Sequence, residues 1–216
     1  MIQNMLRAIT ANYHLNGITL GEFSKMKVNG MNFEIWAFHA DGLGHVSAMT
    51  ASGFFGLMRM DTLIINPTEK DMPLFSYDRV HALGNDTLIY ELYDTQSEPA
   101  DLGRLAAVKE RYADLPDHDL GSHWYDSIKL DMSLAKKGKK NQTADFDRCA
   151  MEYLQSFLEA AADAPYCDPS EKNAKASVYV EGLLTNGGPS TDIFKKGIGE
   201  EKTALLFRNI LFGTAR

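Results

Sequence analysis

Two aspartates interrupt runs of residues that otherwise ask to be buried. Asp61 falls inside "MRMDTLII" and Asp78 inside "LFSYDRV". A carboxylate within a covered strand is costly unless it is paired or takes up a proton. A carboxyl group that holds a proton near neutral pH is a proton donor, so each is a candidate general acid. The competing reading is a structural ion pair with Arg59 or Arg79. Strand alternation places Arg59 with Asp61 and turns Arg79 away from Asp78, so the ion pair is the stronger rival at Asp61. Met58 and Met60 alternate with that pair, and are expected either in a core or against a flat apolar ligand.

Other constellations are weaker. His39 and His45 flank a hairpin, His81 follows Asp78, and His14 follows the N-terminal segment; singly, each reads as a surface or hydrogen-bonded core histidine before a catalyst. His118 and His123 lie among Asp117, Asp119 and Asp126, yet H-E-x-x-H and paired Cys/His spacing are both missing, so no metal site is expected. "DGLGH" joins two strand-like runs, not a strand and a helix, which sets a dinucleotide fold aside. Neither a phosphate-cradling G-x-x-x-x-G-K-[ST] nor a G-x-S-x-G elbow occurs. Cys149 and Cys167 read as free thiols.

The elements that must position these residues are legible by pattern. "FEIWAFHA" and "HVSAM" flank the turn "DGLG", "GLMRMDTLIIN" follows, and "LFSYDRVHAL" and "TLIYELYD" are separated only by "GND". Such short connections make neighbours antiparallel. In "TLIYELYD", Ile89 and Tyr93 face one way while Leu88, Tyr90 and Leu92 face the other, so the sheet is expected to be covered on both sides. "PADLGRLAAVKERYADLP" predicts a helix, and "HWYDSIKL" a further strand. The helical remainder comprises "TADFDRCAMEYLQSFLEAAADAP", with Thr143 as N-cap; "SEKNAKASVYVEGLLTNGG"; a short piece with Pro189 in its first turn; and "EEKTALLFRNILFG". The expected class is α/β, a three-layer α/β/α sandwich with a central, mostly antiparallel sheet, in one domain spanning 1–216.

Bulk properties narrow the function. The chain has 216 residues, 44% of them hydrophobic, and a formal charge of −7, which disfavours general nucleic-acid binding. No window approaches the ~20 apolar residues of a membrane span. The start "MIQNMLRAIT" lacks a signal pattern, so a cytoplasmic location is expected. The run "AKKGKK" at 135–140 reads as a mobile, solvated loop or a docking point for an acidic partner.

At "MPLFSYDRV" the sequence resembles the ferredoxin-dependent bilin reductase superfamily, which includes red chlorophyll catabolite reductase. There a proline-initiated strand P-[LI]-[FL]-G-x-D carries a catalytic aspartate, matched here by Pro73, Leu74, Phe75 and Asp78, with Ser76 in place of the glycine. The C-terminal stretch is similar to the family's ending, with Ile198, Gly199, Glu200, Leu211 and Phe212 at matching positions. The resemblance covers roughly Phe33 to Phe212, and only these two patches are specific. It implies an open-chain tetrapyrrole between sheet and C-terminal helices, no bound cofactor, and single electrons from reduced ferredoxin, with protons supplied by buried carboxyls. Asp78 takes the donor role. The family's polar residue on the preceding strand falls near Asp61 or Thr62, and Asp61 is taken. Arg59, His45 and Lys129 are the expected substrate contacts, Lys129 toward a propionate. A second family carboxylate falls on Gly188, which leaves a non-catalytic tetrapyrrole carrier, or a structural protein on the same scaffold, as alternatives.

Overall fold

The computed structural model describes residues 1–188 and 190–215, with the backbone alone at Phe54; the expected helix-start role of Pro189 lies outside the described residues. The strands are β1 (Leu15–Gly17), β2 (Lys25–Val28), β3 (Met31–Ala40), β4 (Gly44–Gly53), β5 (Met58–Asn66), β6 (Leu74–Ala82), β7 (Asn85–Tyr93) and β8 (Leu134–Lys139). They form one antiparallel sheet in the order β1-β3-β4-β5-β6-β7-β8, with β2 also paired to β3. The β6–β7 hairpin closes through two residues, Leu83 and Gly84, at φ 49° and 75°. Positive φ at both turn positions matches the right-handed twist of the strands, and leucine adopts it at some strain.

Helices cover both faces. One face packs against α1 (Ile2–Thr10), α2 (Gly103–Arg111) and α3 (Thr143–Asp163), burying Leu63, Phe75, Tyr77 and Tyr90 under Phe146, Tyr153 and Phe157. The other packs against α4 (Pro169–Asn186), α5 (Thr191–Ile198), α6 (Glu200–Leu205) and a π-helical continuation, Leu206–Leu211. The expected three-layer sandwich is therefore the fold. Among the described residues no helix is long and apolar enough to cross a membrane.

Local signals set the helix limits. Asp168 caps α4 by accepting from the amides of Ser170 and Glu171, with Pro169 in the first turn. Thr143 is the first residue of α3; Gln142 holds the cap position.

Two expectations fail together. "HWYDSIKL" is not a strand: it forms a loop with a short 3-10 turn, Asp126–Ile128, and pairs with the sheet through an isolated bridge between Tyr93 and Lys129. Its aromatic residues leave the sheet edge to pack on α4, with the Tyr125 and Tyr179 rings 5.8 Å apart. The edge is instead β8, the lysine run expected to be a mobile loop. Lys136 is buried because its Nζ donates to the carbonyls of Ala113 and Leu115 and to Asp117 Oδ1 at 2.7 Å; those groups supply the pairing a buried ammonium needs.

Candidate active site

Strand register gathers one row of side chains under α4 to α6. Met49, Thr62, Asp78 and Ile89 are successive partners across β4 to β7. The adjacent rows bring Met60 beside Val80, and Ile64 beside Ser76 and Glu91. Above this floor lie Tyr179 and Leu183 of α4 and Phe207, Leu211 and Phe212 of the last helical segment; His123 and Tyr125 close one side. The cavity is about 260 Å³, partly open to solvent and largely apolar.

Asp78 sits on the cavity floor. Burial pushes its carboxyl up from 3.8 to about 6, helped by the charge of Glu91 and opposed by the hydroxyl of Thr62, which donates to Asp78 Oδ1 at 2.5 Å. The group therefore keeps a protonated fraction near neutral pH that an ordinary aspartate lacks, and that fraction can donate toward whatever occupies the cavity. Beside it, Glu91 Oε2 accepts from the hydroxyl of Tyr93 at 2.7 Å, while Glu91 Oε1 lies 3.8 Å from Lys129 Nζ. Tyr93 stacks on Tyr179 at 4.1 Å and 29°, and Tyr125 meets both edge-on. Burial raises the phenols of Tyr93, Tyr125 and Tyr179, so all three stay neutral. The three phenols make this part of the wall polarizable and uncharged.

The expected site residues separate. Asp78 lines the cavity. Asp61 and Arg59 do not: they point to the opposite face, Asp61 across from Arg79 and 3.5 Å from the α-amino nitrogen of Met1, and Arg59 across from His81 on an exposed rim. Their assignment to the site is corrected by the strand's own alternation, since Met60, Thr62 and Ile64 are the cavity-facing residues of β5. Thr62, the alternative to Asp61, is the one that meets Asp78. Lys129 lies behind Glu91, held at 2.7 Å by Asp126 Oδ1, and does not reach the cavity. Gly188 does line it, bringing no side chain. Glu91 was missed, although its place between Ile89 and Tyr93 put it on their face.

His45 also has another task. Its Nε2 lies 2.7 Å from the carbonyl oxygen of Ile210, while Ser47 Oγ donates to Leu211 O at 2.7 Å and Asn66 Nδ2 to Phe212 O at 2.9 Å. Three polar side chains of β4 and β5 thereby satisfy the last carbonyls of the helical layer and fix the cavity's roof to its floor. Gly213 turns the chain away at φ 64°, and a Cβ there would lie 2.5 Å from the His45 ring. Gly213→Ala is expected to destabilise the fold by about 2–3 kcal/mol in urea unfolding and to loosen the cavity roof.

Asp117, Asp119 and Asp126 do not converge. Asp117 pairs with Lys136, which holds its carboxyl below the usual value. Lys129 does the same for Asp126, and Asp119 accepts from the amide of Gly121. Among the described residues no three His, Cys, Asp or Glu side chains are placed to hold a metal ion.

With the antiparallel sheet, the two helical layers and the cavity between sheet and C-terminal helices in place, the architecture defines a fold class that solved structures share. Phytochromobilin synthase from tomato, solved in complex with biliverdin, superposes with a TM-score of 0.80 at 13% identity, over 99% of this chain and 82% of that one. No protein-family model and no curated protein sequence matches the chain. The likeness is one of fold.

Proposed function

We propose that this chain is a reductase of a linear tetrapyrrole, or of a similar conjugated pigment, working as one domain with Asp78 as proton donor. The observation that carries the reading is the placement of Asp78 on the floor of an apolar, tyrosine-walled cavity, where burial makes its carboxyl a weaker acid that holds its proton to higher pH. The biliverdin held by a protein of the same fold supports the class of ligand.

In this reading the pigment lies between the sheet row Met49–Thr62–Asp78–Ile89 and the helical roof. An external one-electron donor, ferredoxin by the resemblance, reduces it to a radical anion, and Asp78 protonates that radical. At pH 7 a carboxyl titrating near 6 is protonated in roughly one molecule in ten. An apolar pigment that excludes water would raise that share, because desolvation disfavours the charged form. Thr62 keeps the carboxyl oriented.

A second reading, a pigment carrier without catalysis, is favoured by Gly188, which stands on the cavity wall without a carboxylate. One experiment separates the two. Biliverdin added to the protein is expected to shift and sharpen its visible absorption, and reduced ferredoxin is then expected to bleach the bound band and form a reduced bilin. A shift that reduction leaves unchanged selects the carrier; no shift at all refutes both.

A further inference from the structure

A second cavity of about 210 Å³ lies beside the first, between β7, β8 and the loop that carries His118, Asp119 and Gly121. Asp119 and Gly121 are exposed, so solvent reaches it. Two residues line both cavities, Leu120 and Glu91, and only Glu91 can carry a proton. It is in the next row to Asp78 on the same face, because Glu91 pairs with Ser76 and Asp78 with Ile89; such diagonal neighbours lie ~7–8 Å apart at the backbone, within reach of long side chains. Glu91 Oε2 is engaged by Tyr93, whereas Oε1 is buried without a hydrogen-bond partner. Its ion-pair neighbour, Lys129 Nζ, lies at 3.8 Å, beyond hydrogen-bond range, so Oε1 is a buried acceptor open to a proton.

We propose that Glu91 is a relay carboxyl that takes protons from solvent through the side cavity and resupplies Asp78 between two successive protonations of the pigment. The proposal rests on the reductase reading above. Reduction of one double bond consumes two electrons from the external donor and two protons. After the first electron, neutral Asp78 protonates the radical anion and becomes a carboxylate. The Glu91 carboxylate takes up a proton from solvent in the side cavity and passes it to Asp78; the second electron and the second proton from Asp78 then complete the bond. The other groups facing the pair do not supply this path. Thr62 donates to Asp78, while Tyr93, Tyr125 and Tyr179 stay neutral. His123 stacks on Tyr125 with its backbone N–H given to Asp126. Lys129, behind Glu91, is held by Asp126. The α5 and α6 segments place no charged side chain on the cavity wall among the described residues.

The test is the time course of the two steps in Glu91→Gln, which preserves size and an acceptor for Tyr93. Bound biliverdin is expected to keep its affinity and spectrum within about twofold, and the first protonation is expected to slow by no more than a few-fold, because the Glu91 charge is the smallest of the causes that set Asp78. The second protonation should slow by about tenfold or more, so that the radical accumulates in electron paramagnetic resonance, and Glu91→Asp should restore most of the rate. Wild-type rates for both steps, or an equal slowing of both, would overturn the relay, the latter assigning Glu91 a structural role. A failed fold or lost pigment binding in Glu91→Gln is judged by Glu91→Asp: a normal second step there supports the relay, and a slowed one overturns it. Wild-type protein that binds or reduces no pigment would instead defeat the parent reading, and the relay with it.

Discussion

Asp78→Asn is expected to bind biliverdin with little change and to lose turnover by about 100-fold or more, while becoming more stable at neutral pH. Both effects follow from one cause. The folded protein holds Asp78 at about 6 against 3.8, so the neutral form is the one the fold prefers. The stability this contributes is fully present below the unfolded value and is lost as pH rises through about 6. Amide replaces a group that is mostly ionised at neutral pH, and its oxygen can still accept from Thr62. The rise from 3.8 to about 6 corresponds to about 2–3 kcal/mol. Urea unfolding at about pH 8 should show the variant more stable by that order, and near pH 4 the gain should fall below about 1 kcal/mol. A variant that reduces pigment at the normal rate would remove Asp78 from the chemistry.

The second large effect is expected on the opposite face. Arg79 is fully buried, with Nε and Nη2 donating to Asp86 Oδ1 and Oδ2 at 2.5 and 2.7 Å, and its Nη2 lies 3.3 Å from Asp147. Thr143 Oγ1, at the start of α3, donates to Asp86 Oδ2 at 2.8 Å, and the guanidinium lies over the ring of Phe146 at 5.0 Å. The network ties the β6–β7 hairpin to α3. Asp86→Ala leaves the guanidinium buried and largely uncompensated, and should cost about 3–5 kcal/mol. Replacing both partners, as Arg79→Met with Asp86→Leu, should recover much of that loss, because the desolvation of two charges disappears together. A double-mutant cycle in urea measures the difference. Additive losses would show that the pair is not coupled.

The contrast between these two aspartates explains how much of the site was readable in the sequence. The hairpins from β3 to β7 follow from alternation and from turn residues, so Asp78 could be placed within a covered strand. Its neighbours could not all be placed, since cross-strand partners depend on register. Thr62 meets Asp78 and Asp61 meets Arg79 only because of the number of residues between Asn66 and Leu74. The Arg79–Asp86 pair is likewise diagonal across a two-residue turn that appeared in sequence as a longer "GND" connection.

The missed edge strand has a different reason. β8 is rich in lysine, and its central Lys136 is buried only because carbonyls from the segment after α2 converge on it. Nothing within the strand announces those partners. Conversely, "HWYDSIKL" has the composition of a strand but packs its aromatic residues on α4, where Tyr125 forms part of the cavity wall. His45 belongs with these cases. Its role as a clamp on Ile210 depends on a contact 165 positions away in the chain.

The proton on Asp78 is the centre of the account, and carbon-13 NMR of the aspartate side-chain carboxyls reads it directly. The Asp78 resonance, assigned through Asp78→Asn, should titrate with a midpoint of about 6 in the free protein and move further upward when biliverdin is bound, with Asp61 on the far face unmoved by pigment. An Asp78 midpoint in the ordinary carboxylate range, indifferent to biliverdin, would contradict it.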